Sequence, residues 1–125
     1  MSIRYLNIDC TLRADYSLKA LIDQLRPHIF ILWEEINNDS SSVGIETTLT
    51  NSKQPEDDIL EFVNLFEKLA PDLRQLLNGC KEKVFDMGFE GGNSGNVLDT
   101  TFCPSTIQKI SNLAFSLNIR IYPDC

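Results

Sequence analysis

The sequence predicts an α+β fold: one domain over residues 1–125, with a mostly antiparallel sheet and three to four helices packed mainly on one face. Three observations carry this. Several short runs alternate apolar with polar residues, as half-buried strands do, and other runs place apolar residues at helical spacing behind proline or capping residues. The two kinds follow one another without the regular strand-helix-strand order of a parallel sheet. At 125 residues and 42% hydrophobic, the chain is long enough for one sizeable core and too short for two.

Leu6, Ile8, Cys10 and Leu12 alternate with Asn7, Asp9, Thr11 and Arg13, which predicts a strand with the first set on a core and the second on an open sheet face. Asp15 is placed to cap a helix carrying Leu18, Leu21, Ile22 and Leu25, which Pro27 ends. Residues 29–36 read as a strand apolar on both faces, hence central in the sheet, until the chain reaches Glu34 and Glu35. After turn composition at 37–42, Val43, Ile45, Thr47 and Leu49 are expected to point inward from another strand. Pro55 suits the first turn of a helix whose stripe is Ile59, Phe62, Val63, Phe66 and Leu69, and Pro71 opens a shorter helix ended by Gly79. Residues 84–90 and 97–102 are expected to pair as a hairpin around the loop 91–96. Ser105 with Gln108 reads as a capping box for a helix burying Ile107, Ile110, Leu113 and Ala114, and residues 119–122 as a last strand stopped by Pro123.

Several function classes find little support. The longest apolar run, residues 29–33, is far short of the roughly 20 residues that cross a bilayer, and the chain starts in a strand pattern without the features of a signal peptide, so the cytoplasm is the expected location. Cys10, Cys80, Cys103 and Cys125 are tens of residues apart and only one histidine, His28, accompanies them, which predicts free thiols, no metal and no cofactor. The glycines between Gly88 and Gly95 lack the lysine and the helix start of a phosphate cradle and read as a flexible turn. His28 stands without a nucleophile in an activating context, and no other arrangement supports nucleophilic catalysis, so the chain reads as no enzyme. The nearest approach to a catalytic or hard-metal cluster is Asp86, Glu90 and Asp99 across the expected hairpin.

Charge is the informative feature. The chain carries a net −7, and residues 28–61 hold eight acids against Lys53, while the remainder holds ten acids and ten bases. A field confined to one segment attracts and orients a basic partner and disfavours direct binding of nucleic acid. The candidate partner-binding residues are Trp33, Glu34, Glu35, Asp39, Glu46, Glu56, Asp57, Asp58 and Glu61. For Glu56, Asp57 and Asp58 a plainer reading also holds, since carboxylates in a first helical turn meet unpaired backbone N–H groups, worth roughly 0.3–1 kcal/mol each.

In size, acidity and lack of catalytic residues the chain resembles the small immunity proteins of bacterial contact-dependent inhibition and polymorphic toxin systems, and its segments 83–89 and 119–122 resemble a family of small bacterial domains. The resemblance implies an inhibitor that neutralises a cognate toxin domain, often a basic nuclease, by covering its active site or blocking its substrate. The alternative, from a different class, is a small-molecule-binding domain or hydrolase using carboxylates on the open sheet face around Asp9, Asp86 and Glu90.

Overall fold

The clearest alternation in the chain lies at the centre of the sheet. The computed structural model describes residues 3–48, 54–91 and 97–123. In it β1 (Arg4–Ala14) turns Ile8, Cys10, Leu12 and Ala14 to the core, each at most 2% exposed. β1 pairs antiparallel with β3 (Ser41–Thr47) on one side and β4 (Glu82–Glu90) on the other. β2 (Ile29–Ile36) flanks β3, and β5 (Ser116–Tyr122) flanks β4 in parallel, for the order β2-β3-β1-β4-β5. Parallel neighbours need a crossover, and the chain between β4 and β5 provides one through α4 (Pro104–Asn112). The result is the expected mostly antiparallel α+β domain, with four α-helices among the described residues.

Three strand expectations need correction. Residues 29–36 form an edge strand and not a central one, because Phe30, Leu32 and Trp33 meet no second layer and stay 41–56% exposed. Residues 97–102 form no strand; β4 is already paired on both sides, by β1 and β5, which leaves a hairpin no place in the sheet. Leu6 is 41% exposed, since it is the extra residue of a bulge between Tyr5 and Asn7. Val43, Ile45 and Thr47 point inward as expected, whereas Leu49 and residues 92–96 of the expected loop lie outside the described residues.

Both bulges change which face a side chain meets, since strand side chains alternate and one inserted residue reverses all that precede or follow it. Ile8 faces the core, so regular alternation would send Tyr5 outward; the bulge at Leu6 swings it inward against Phe89, ring centroids 5.7 Å apart. In β2, Ile31 opposes the core residue Ile45, and the irregularity before Trp33 sets the indole opposite Gly44, on the uncovered face.

The helices lie on one face. α1 (Lys19–Leu25) buries Leu21, Ile22 and Leu25 and runs into a single 3-10 turn, Arg26–His28. α2 (Pro55–Glu67) packs on β1 and β3 through Ile59, Phe62, Val63 and Phe66, and α3 (Pro71–Asn78) packs on α1 and stops at Gly79. Phe62, Phe66, Phe85 and Phe115 form one aromatic block, with Phe85 and Phe115 stacked at 4.2 Å, each buried ring contributing about 1.5–3 kcal/mol. Lys83 is buried on this face, where its ammonium donates to the Leu113 carbonyl at 2.7 Å and lies 5.7 Å from the Phe115 ring centre.

The helix caps differ from those the sequence suggests. Asp15 does not cap α1; it pairs with Lys81 at 2.7 Å, while the Ser41 hydroxyl accepts from the Leu18 N–H and donates to the Tyr16 carbonyl. Ser105 and Gln108 form no capping box. The Cys103 N–H at the start of α4 donates to Glu56 at 2.6 Å, so a carboxylate from α2 satisfies that end, and Gln108 bonds Asn112 instead. Ile107 is 55% exposed and Ala114 exposed, because α4 ends at Asn112 and Ala114 takes a left-handed conformation with φ 58°.

One carboxylate ties the layers together. Asp58, 5% exposed, accepts from Thr47 Oγ1 of β3 at 2.9 Å and from the Tyr5 hydroxyl of β1. Burial, then the Asp58 carboxylate, holds the Tyr5 hydroxyl far above its ordinary range, so it remains a donor. Asp58→Ala leaves both hydroxyls without their acceptor and is expected to cost about 2–3 kcal/mol in urea unfolding, whereas Asp57→Ala, on the exposed side of the same turn, is expected to cost less than about 0.5 kcal/mol.

Candidate binding face

Because every described helix lies on the side of Ile8 and Cys10, the outward set of each strand forms a face that none of the described helices covers. From the middle of the sheet it gathers Asn7, Asp9, Thr11 and Arg13 of β1, Glu46 of β3, Asp86 and Gly88 of β4 and Arg120 of β5. All of these except Glu46, with Trp33 and Tyr122, border a shallow concavity of about 270 Å³.

The centre of this face is electrostatically unfavourable to itself. Asp9 and Asp86 are direct cross-strand partners, a like-charge pairing that destabilises a sheet. The Asn7 side-chain amide donates both to Asp9, at 3.1 Å, and to Glu46, at 2.7 Å, which draws a third carboxylate in. The Asp9 carboxyl is accordingly pushed up from 3.8 to about 6, by burial first, then by the charge of Glu46 and hydrogen bonding with it, then by Asp86, with Arg120 pulling the other way. Asn118 donates to Asp86 at 2.6 Å and so partly balances that group.

Two close approaches shape the face. The Trp33 indole lies flat over Gly44, where any Cβ would overlap the ring, and its Nε1 donates to Ser42 Oγ at 3.2 Å. A Cβ at Gly88 would stand 3.0 Å from the Asn7 side-chain oxygen, so glycine there leaves room for the amide that bridges the two carboxylates.

Among the nine residues the sequence singles out, the fold brings only Trp33, Glu35 and Glu46 onto this face. Glu34 falls on the opposite face of β2 and pairs with Arg26 at 2.8 Å. Asp39 sits in the turn between β2 and β3, exposed. Glu56 and Asp58 are taken up by the α4 N-terminus and by Tyr5 and Thr47, Asp57 is exposed at the start of α2, and Glu61 borders a separate groove with His28 between α1 and α2. The acidic segment is therefore continuous in sequence and divided in space. Of the carboxylates proposed for catalysis, Asp86 is on the open face, Glu90 is paired with Arg4 at 2.9 Å, and Asp99 lies exposed outside the sheet. Asn7 and Tyr122 were not singled out; the alternation that sends Asp9 outward also sends Asn7, and that was the available signal.

Among the described residues, no group of three His, Cys, Asp or Glu side chains is arranged to hold a metal ion, and no helix is long and apolar enough to cross a membrane. Comparison with protein-family models, with curated proteins and with solved structures gives no match.

The raised Asp9 carboxyl has a definite consequence for stability. A proton held more tightly in the folded chain contributes stability that is complete below about pH 3.8 and is lost as the pH rises through about 6. At neutral pH the ionised group is a burden on the fold. Asp9→Asn is therefore expected to stabilise the protein by about 1–2 kcal/mol near pH 8, a figure reduced for solvent screening of a half-exposed group, and to match the parent below about pH 4. Thermal melts at the two pH values check this; equal melting of both proteins at the higher pH would remove the like-charge contact.

Proposed function

We propose that the protein is a non-enzymatic binding protein of the immunity type, which neutralises a cognate toxin domain by docking a basic surface of it on the open sheet face. The observation that carries this reading is the grouping of Asp9, Glu46 and Asp86 on a face that none of the described helices covers, with Trp33 on the same face. Adjacent carboxylates oppose folding, and such local conflicts are expected where function demands them. A lysine or arginine set among them relieves the conflict on binding, and a half-exposed tryptophan is the type of residue that anchors protein interfaces. Speed follows as well, since a cluster of carboxylates that outnumbers the neighbouring Arg13 and Arg120 favours encounter with an oppositely charged partner.

The alternative of a small-molecule ligand is less well supported. The two concavities that share Thr11, Arg13, Asp86 and Arg120 on this face, about 270 and 430 Å³, are shallow and mainly polar, whereas ordinary ligand pockets of roughly 300–1,000 Å³ are mainly apolar. A hydrolase would need a nucleophile or a positioned acid-base pair, and Asp9 and Glu46 are bound instead to one amide.

The test starts from the neighbouring genes: any toxin domain encoded there is expressed with and without this chain, protection of the cells is scored, and association is measured between the two purified proteins. Trp33→Ala is expected to weaken the complex by about 30-fold or more. Asp9→Asn with Asp86→Asn is expected to slow association about tenfold and to flatten its salt dependence, with the fold retained. Full protection and unchanged association in both variants would place the docking surface elsewhere, and catalytic turnover abolished by Asp9→Asn would reject the binding reading altogether.

A further inference from the structure

The two edges of the sheet are built differently. β2 carries Glu34 and Glu35 and is interrupted by its bulge, devices that prevent a sheet edge from pairing with another strand. β5 has neither. Its register with β4 runs without irregularity from Ser116 to Tyr122, no proline or acid interrupts it, and Arg120 is its sole charge. Among the described residues its one strand neighbour is β4.

The face of β5 continues the core beyond its cover. Leu117, Ile119 and Ile121 are the register partners of Phe85, Met87 and Phe89, which are at most 1% exposed, so all six point to the helical side. The helix layer is centred on β1 and β3, and at the β5 rim these three side chains remain 44%, 59% and 49% exposed. A strand added outside β5 would extend both the hydrogen-bond ladder and this apolar row.

We propose that β5 is a self-association edge, on which a second copy of this chain adds antiparallel about a two-fold axis at Ile119 to join two sheets into one of ten strands. The strand is complementary to itself: Ile119 meets Ile119 and Leu117 meets Ile121 on the helical side, while Asn118 meets Arg120 and Ser116 meets Tyr122 on the open side, with no charge facing its like. Charge also selects the occupant. Two chains of net −7 repel least along an edge that bears one base and no acid, whereas a basic partner is drawn to the acidic face and not to Arg120. One strand pair and three aliphatic side chains per copy bury less than the roughly 1,200 Å² of a standard interface, so association is expected at micromolar and not nanomolar strength. The pairing uses the outer edge of β5, although Arg120 and Tyr122 of the same strand border the docking concavity, and it does not rest on the docking reading above.

The test is the solution mass by analytical ultracentrifugation between about 5 and 500 µM, the range over which a micromolar dimer forms by mass action. The parent is expected to shift from monomer to dimer, Phe30→Lys on the opposite edge to do the same, and Ile119→Lys to remain monomeric with the parent's far-ultraviolet spectrum. A parent monomeric throughout, a dimer that survives Ile119→Lys, or one lost in Phe30→Lys overturns the proposal. Amide exchange in the unmodified protein gives a second reading that needs no variant. Residues 117–121 are expected to exchange more slowly at the higher concentration while β2 is unchanged, and equal β5 exchange at both concentrations contradicts the edge pairing.

Discussion

Asp58 fixes the helical layer to the sheet, and the rest of the architecture depends on that attachment. Its carboxylate sits at the first turn of α2 and receives hydroxyls from the two central strands that α2 covers, β1 through Tyr5 and β3 through Thr47. A buried charge is tolerable only when its oxygens are satisfied, so these contacts set both the position of α2 and the face of β1 on which Tyr5 must lie. The bulge at Leu6 is what allows Tyr5 to reach it. With α2 fixed there and Phe62 against Phe85, the apolar sides of the strands are used up on one face and the outward set is left to water.

That outward set departs from what solvation alone would select. An exposed sheet face favours cross-strand pairs of opposite sign, and Arg13 with Glu82 at 3.0 Å and Arg4 with Glu90 follow that rule at its margins. The middle breaks it, since Asp9 opposes Asp86 and shares an amide with Glu46. Trp33 adds a partly exposed apolar surface, over a glycine that makes room for its ring. The margins resemble a stable sheet and the centre resembles a binding surface awaiting a cation, which is the basis of the functional proposal.

How much of this could be read from the sequence depended on the range of the interaction. Local patterns were reliable: the alternation from Ile8 to Leu12, the stripe from Ile59 to Phe66 and the stop at Gly79 all reappear in the structure. The faces of Tyr5 and Trp33 were not legible, because a bulge leaves no residue signature and yet reverses alternation. The roles of Glu56 and Asp58 depend on partners up to 53 residues away, so a first-turn acid and a functional acid look alike in sequence. The spatial division of the acidic segment from 28 to 61 was not legible for a related reason: Glu34 and Glu35 are neighbours in the chain and point to opposite faces of β2. The open-face carboxylates Asp9 and Asp86 lie outside that segment, and only the β1–β4 register brings them together.

The central claim is that Asp9, Glu46 and Asp86 act as one group on the open face, and the side-chain carboxyl titration of Asp9 tests it most directly. Carbon-detected NMR across the acid range reads that carboxyl alone. The account predicts a midpoint near 6 that falls, but stays above 3.8 because burial remains, when Glu46 and Asp86 are replaced by glutamine and asparagine. A midpoint near 3.8 in the parent would show that the three carboxylates do not interact, and with that the open face would lose its claim to be a binding site.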